Sequence, residues 1–244
     1  MILIGLFVLV MSGFGGYFGT RYLLSVNDTP KISSKQTRKP QVPAKPSFNK
    51  LEYSSSAPDS LWVIVNKLHP LNPASYIPND LVTINGATIS QKVQVDFEAM
   101  MNDATKAGIN LKLVSSYRSY DSQSAVYNNY VSIYGQTKTD TFSARPGYSE
   151  HQTGLSIDFG SYNQATCNLD DCFGQTTEGA WLAANAQKYG FMLRYPAEKQ
   201  TVTGYKSEPW HYRYVGKKLI DEMKKQNIIT LEEFFGISGG ETYI

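Results

Sequence analysis

No charged side chain occurs between Met1 and Thr20, and the run Ile2, Leu3, Ile4, Leu6, Phe7, Val8, Leu9, Val10, Met11 is almost wholly apolar. Twenty helical residues span about 30 Å, the thickness of a bilayer's hydrocarbon core. A water-soluble core helix would be weakened by the glycines at positions 5, 13, 15, 16 and 19. Residues 1–24 therefore read as an export signal retained as a membrane anchor, because neither an A-x-A cleavage pattern nor a lipid-modifiable cysteine follows them. Cleavage of the segment would leave the same body secreted.

The next stretch cannot bury enough surface to order itself. Residues 25–60 are rich in Ser, Thr, Lys, Gln and Pro, including Pro30, Pro40, Pro43, Pro46 and Pro58, and read as a flexible basic tether. Residues 21–50 hold seven Lys/Arg and one acid, Asp28, for a charge of +6. The sixteen basic and twenty acidic residues of 51–244 give the body −4, so it offers no basic surface for nucleic acid. Positive charges that follow the apolar run would, by themselves, keep the body in the cytoplasm. The cysteines and the implied substrate, below, outweigh that count.

From Leu61 to the C-terminus, short apolar runs alternate with turn signals, and roughly 190 residues are enough to bury a core. Residues 61–244 are thus expected to form one domain. Ser90 is expected to cap a helix with Val93, Phe97, Met100 and Ala104 on one face, ended by Gly108. Asp121 is expected to cap a second helix ending at Gly135, and Thr177 a third ending at Gly190. Strands are expected at 111–115, 155–159, 191–195 and 210–215, a loop over 136–153, and late helices around Leu219–Met223 and after the capping box of Thr230 and Glu233. Without a strict βαβ rhythm, the expected class is α+β: a small antiparallel sheet flanked by helices.

The chain has three histidines, His69, His151 and His211. His151 stands in Ser149-Glu150-His151-Gln152-Thr153-Gly154-Leu155-Ser156-Ile157-Asp158, and His211 in Glu208-Pro209-Trp210-His211-Tyr212. On a strand, Leu155, Ile157 and Phe159 share one face and Asp158 leaves the other. Two imidazoles and one carboxylate leave a fourth tetrahedral position open, the composition of a catalytic zinc site. Glu208, held on the turn before the His211 strand by Pro209, can lean over such a metal, take the proton of an activated water and pass it to a leaving amine. Amide hydrolysis suits this apparatus. His69, between Leu68 and Pro70, reads as structural, and Trp210 and Tyr212 as packing residues.

SEHQTGLSID and EPWHY, with SSYRSYDSQ upstream, closely resemble the zinc D-alanyl-D-alanine carboxypeptidases of the VanY type, within peptidase family M15. The resemblance runs from about Leu61 to about Phe235. It implies one zinc ion held by His151, Asp158 and His211, Glu208 as catalytic base, and Arg118 as stabiliser of the tetrahedral oxyanion. It also implies that Gln123 and Ser149 hold the terminal carboxylate of the substrate, a peptidoglycan stem peptide ending in D-alanine. The implied fold is the small α+β one shared with the Hedgehog signalling domain. No motif separates D,D- from L,D-carboxypeptidase action on tetrapeptide stems. A wall-binding module that keeps zinc without turnover is the rival from another class, and the intact Glu208 argues against it.

Cys167 and Cys172 enclose Asn168-Leu169-Asp170-Asp171. In a reducing cytosol they would be free thiols or half a metal site, but no second cysteine pair completes one. In an exported domain a disulfide is expected, contributing about 2 kcal/mol for so small a loop. With a wall peptide as substrate, it places the body outside the membrane and anchored to it by the N-terminal segment.

Overall fold

The computed structural model describes residues 48–244. The anchor expected over 1–24, and the tether as far as residue 47, lie outside the described residues. Residues 48–60 depart from the tether reading, because they pack on the domain. Phe48 stacks on Trp62 with ring centroids 5.3 Å apart, and Lys50 Nζ donates to the Phe234 carbonyl at 2.8 Å. The Ile64 amide donates to the Ser55 carbonyl at 2.9 Å. Two aromatic side chains, Phe48 and Tyr53, pack against Trp62 and anchor a stretch whose average composition is that of a linker. Among the described residues no helix is long and apolar enough to cross a membrane.

The chain first forms a hairpin, β1 (Leu81–Ile84) and β2 (Ala87–Ser90). Its turn residues Asn85 and Gly86 have φ of 53° and 86°, the paired left-handed conformation that Asn-Gly tolerates best. Ser90 accepts from the Lys92 amide and opens a 3-10 turn leading into α1 (Gln94–Lys106), which buries Phe97, Met100 and Ala104. After β3 (Leu111–Ser115) comes α2 (Tyr120–Tyr134). Its cap is Ser119 rather than Asp121: Ser119 has the extended backbone of a cap and accepts from the Ser122 amide at 3.2 Å.

The expected loop 136–153 contains α3 (Gln136–Thr139) and a 3-10 turn, Glu150–Thr153, ahead of β4 (Ser156–Ser161). α4 (Thr177–Asn185) is capped by Thr176, one residue before the expected Thr177, and its last turn tightens into a 3-10 segment that stops at Gly190. There follow β5 (Phe191–Leu193), α5 (Gln200–Thr203), β6 (His211–Tyr214), α6 (Lys217–Lys225) and α7 (Leu231–Phe235). The Thr230 hydroxyl accepts from the Glu233 amide at the start of α7.

The fold is α+β. One antiparallel sheet has the order β3-β4-β6-β5, beside the two-stranded hairpin. Ile157 and Phe159 of β4 join Phe97 and Met100 of α1, Leu182 of α4 and Phe191 of β5 in the main core. A second cluster gathers Trp62, Met192, Val215, Leu219, Ile220, Met223 and Phe234. All six residues of β4 are buried, so Asp158 leaves the apolar face into a protein-walled cleft rather than into open solvent.

Candidate metal centre

The β4–β6 register sets Asp158 directly opposite His211, and the β3–β4 register pairs Asp158 with Ser115 on the other side. His151 arrives from the 3-10 turn that precedes β4. One ligand atom from each of His151, Asp158 and His211 lies within 4.8 Å of the others, and all three residues are buried. His151 Nε2 is 3.1 Å from Asp158 Oδ2, and His211 Nδ1 is 2.9 Å from Asp158 Oδ1. Three parts of the chain thus converge on one point.

The donor set fits zinc. His151 Nδ1 faces the Ser116 carbonyl at 2.7 Å, so Nδ1 carries the hydrogen and the Nε2 lone pair is turned towards Asp158. Asp158 Oδ1 is buried with no hydrogen-bond partner, despite its short distance to His211. An orphaned carboxylate oxygen between two imidazoles is a site built for a cation. Two imidazole nitrogens and one carboxylate also leave the open position that catalytic zinc needs.

Without a cation the electrostatics push the two imidazoles in opposite directions. Burial lowers the pKa of His151, which favours the neutral, ligating form. His211 is pushed the other way, to about 9, where Asp158 and Glu150 outweigh its burial. Against burial, the two imidazoles hold the Asp158 carboxyl well below the usual carboxylate range.

Glu208 occupies the turn before β6, as its amide donates to the Tyr195 carbonyl at 3.0 Å and its own carbonyl accepts from the His211 amide at 3.1 Å. Its Oε2 lies 3.7 Å from His211 Nδ1. Burial, with Asp158 and Glu150 nearby, raises its pKa to about 8 in the absence of a cation. A carboxylate with that proton affinity, free of any salt bridge to Lys or Arg among the described residues, is suited to accept and return a proton.

Arg118 Nη2 is 3.9 Å from Asp158 Oδ2 and donates to Ser115 Oγ at 2.6 Å. Gln123 holds it in place, accepting from Arg118 Nη1 at 2.9 Å while Gln123 Nε2 donates to the Ala144 carbonyl at 2.7 Å. Ser149 is buried and lines the same cleft, a cavity of about 330 Å³. Cys167 and Cys172 form a disulfide, and the loop that it closes brings Leu169, Asp170 and Asp171 to the cleft wall. His69 lies apart, with Nδ1 2.9 Å from Asn66 Oδ1. Tyr212 is a core residue, whereas Trp210 both packs on the core and lines the cleft.

Sequence reasoning passed over the support beneath the ligands. Glu150 Oε2 lies 3.6 Å from His211 Nε2, and its other oxygen accepts from Arg194 Nε and Arg213 Nη1, each at 2.8 Å. Arg194 also pairs with both oxygens of Glu232, at 2.9 and 2.6 Å. All four residues are buried. Although burial opposes ionisation, the two guanidinium groups hold Glu150 well below the carboxylate range, so a fixed negative charge lies near the far nitrogen of His211, which is buried and makes no hydrogen bond. The one local sign in the sequence is an arginine within each of the apolar FMLRY and aromatic HYRY runs, which by itself does not say that either is buried.

The sequence model of the family described as "VanY: D-alanyl-D-alanine carboxypeptidase" matches residues 86–217. The YodJ protein of Bacillus subtilis (strain 168), assigned as a carboxypeptidase, is 41% identical over 188 residues, covering 73% of this chain and 68% of YodJ. A D-alanyl-D-alanine carboxypeptidase of Enterococcus faecium is 35% identical over 187 residues, covering 70% of this chain and 56% of the relative. Among solved structures, the LdcB LD-carboxypeptidase superposes with a TM-score of 0.67 at 39% identity, covering 74% of this chain and 88% of LdcB. VanYB in complex with D-alanine-D-alanine gives 0.62 at 29% identity, covering 71% and 96%. A zinc-bound D,D-pentapeptidase VanY from a VanB-type resistance cassette gives 0.61 at 27% identity, covering 71% and 97%.

Proposed function

Since the chain belongs to the VanY family of zinc D-alanyl-D-alanine carboxypeptidases, we propose that it removes the C-terminal D-alanine from peptidoglycan stem pentapeptides, as a zinc-dependent D,D-carboxypeptidase, outside the membrane. The observation that carries the reading is the placement of a half-buried acid, Glu208, which has no Lys or Arg partner among the described residues, 3.7 Å from a ligand nitrogen of a three-residue metal site. A purely structural zinc has no use for a base there.

Zinc supplies a Lewis acid that acidifies water and polarises the scissile carbonyl. The chain's own residues do the rest. Glu208 takes the proton of the attacking water on its carboxylate and returns it to the nitrogen of the departing D-alanine. Arg118, held by Gln123 and Ser115, directs its guanidinium at the charge that develops on the carbonyl oxygen. Gln123 and Ser149 receive the terminal carboxylate: Gln123 spends one Nε2 hydrogen on Ala144 and keeps the other. The Ser116 carbonyl keeps the metal-facing nitrogen of His151 directed, and the charge of Glu150 lies 3.6 Å behind His211.

A second reading, L,D-cleavage of tetrapeptide stems, is favoured by the similarity to LdcB, an LD-carboxypeptidase. The machinery is indifferent to the configuration of the penultimate residue. Incubating the purified chain with penta- and tetrapeptide stems, with and without a chelator, and weighing the products decides. Loss of one alanine from the pentapeptide, abolished by chelator, is expected; cleavage of the tetrapeptide alone selects the second reading, and cleavage of neither removes both. The extracytoplasmic site and the membrane anchor rest on the apolar N-terminal segment and on the disulfide. Protease accessibility in intact cells tests them.

A further inference from the structure

The residues after α7 lie beyond the stretch matched by the family, and they reach two of the loops that wall the cleft. A glycine pair lets them pass. Gly239 donates to the Val202 carbonyl at 3.1 Å and has no room for a Cβ against that oxygen, while Gly240, at φ 70°, lies flush against Leu68. Lys67 Nζ then donates to the Glu241 carbonyl at 3.0 Å. The tail is thereby delivered to Tyr243.

The Tyr243 hydroxyl has two partners on two different loops. It accepts from the Arg145 amide at 3.1 Å and shares a hydrogen bond with the Tyr205 hydroxyl, also at 3.1 Å. Its ring lies 4.2 Å from the Arg145 guanidinium carbon and meets the Tyr148 ring edge-on at 5.0 Å. Burial pushes the phenol up to about 12, so it remains a neutral donor and acceptor at working pH. The Arg145 loop carries Ala144, whose carbonyl holds Gln123 and through it Arg118, and it also carries Ser149. The Tyr205 loop leads directly to Ser207 and Glu208 on the cleft wall. One hydroxyl therefore ties the side of the cleft that would hold the carboxylate to the side that carries the base.

We propose that Tyr243 is a positioning residue which clasps these two loops and fixes the width of the substrate end of the cleft. The inference rests on the carboxypeptidase reading above. Tyr243 does not line the cleft and touches no metal ligand, so its loss acts on substrate binding and leaves the metal alone.

The test uses the full zinc-loaded chain, as wild type, Tyr243→Phe and Tyr243→Ala, on whichever stem peptide the wild type cleaves. Tyr243→Phe keeps the ring contacts and loses the clasp; its KM is expected to rise about 2- to 10-fold, the range that a lost hydrogen bond spans. Zinc affinity by chelator competition stays at the wild-type value, and kcat falls by less than KM rises. Tyr243→Ala raises KM further; should it not fold, the Phe variant carries the test. An unchanged KM in Tyr243→Phe, or a parallel fall of kcat, zinc affinity and melting temperature, overturns the clasp. If the wild type cleaves neither stem, the functional reading fails, and amide exchange at Arg145 decides the clasp separately. Faster exchange in Tyr243→Phe supports it, and equal exchange overturns it.

Discussion

Asp158 and His211 face each other across the β4–β6 ladder, with Asp158 Oδ1 2.9 Å from His211 Nδ1 yet unaligned for a hydrogen bond. Strand register therefore builds two thirds of the metal site. A slip of one residue would send Asp158 into the core and Ile157 into the cleft, so the buried apolar face that fixes the register also fixes the site. His151 needs only the short 3-10 turn before β4 to join them.

Glu208→Gln removes the proton acceptor with almost no change in shape. The variant should fold and bind one zinc, and kcat should fall by about 10²- to 10⁴-fold, the usual contribution of a positioned base. Circular dichroism, metal content and turnover on a stem peptide check this together. Turnover equal to that of the wild type would remove Glu208 from the chemistry.

Glu150→Gln leaves Arg194 and Arg213 in the interior without their shared carboxylate. Breaking a buried ion pair from one side costs about 3–5 kcal/mol, which urea denaturation should register. Because Glu150 Oε2 also faces His211 Nε2, zinc affinity should weaken about 10- to 100-fold, as is usual for the loss of a partner behind a metal ligand. Chelator competition measures it, and unchanged affinity would confine Glu150 to a packing role.

Asp140 predicts the acid limb of stability. Burial opposes its ionisation, but hydrogen bonds from Arg145 and Tyr127, with the charges of Arg145 and Lys67, hold its carboxyl below the ordinary value. A folded-state pKa lower than the unfolded one stabilises the protein above the unfolded value, near about 3.9, and this gain is lost as pH falls through the folded value. Between pH 5 and pH 2 the urea midpoint of the wild type should therefore drop more steeply than that of Asp140→Asn. Parallel curves would show that Asp140 titrates as it does in the unfolded chain.

The juxtaposition of His151, Asp158 and His211 was legible because each sits in a short contiguous motif and because alternation along β4 tells which way Asp158 leaves the strand. Helices α1, α2, α4, α6 and α7 are legible from apolar periodicity and capping residues, although the caps are Ser119 and Thr176 rather than Asp121 and Thr177, since a cap and the first helical residue are often both polar; the four-residue α3 and α5 are too short to show a period. What was not legible depends on contacts between distant residues. Glu150 meets Arg194 and Arg213 across 44 and 63 positions, and an arginine in a strand reads locally as a solvent-facing one. Phe48 was averaged away by the prolines and serines around it. Tyr243, four residues beyond Gly239, carries no local sign that its hydroxyl bridges Arg145 and Tyr205.

His151, Asp158 and His211 are the residues that would together hold one zinc ion. Elemental analysis of the purified full chain and of its His151→Ala and Asp158→Ala variants, with folding checked by circular dichroism, measures it directly. One zinc per chain is expected in the wild type and close to none in either folded variant; a full equivalent of zinc retained by both variants would mean that these residues do not hold it.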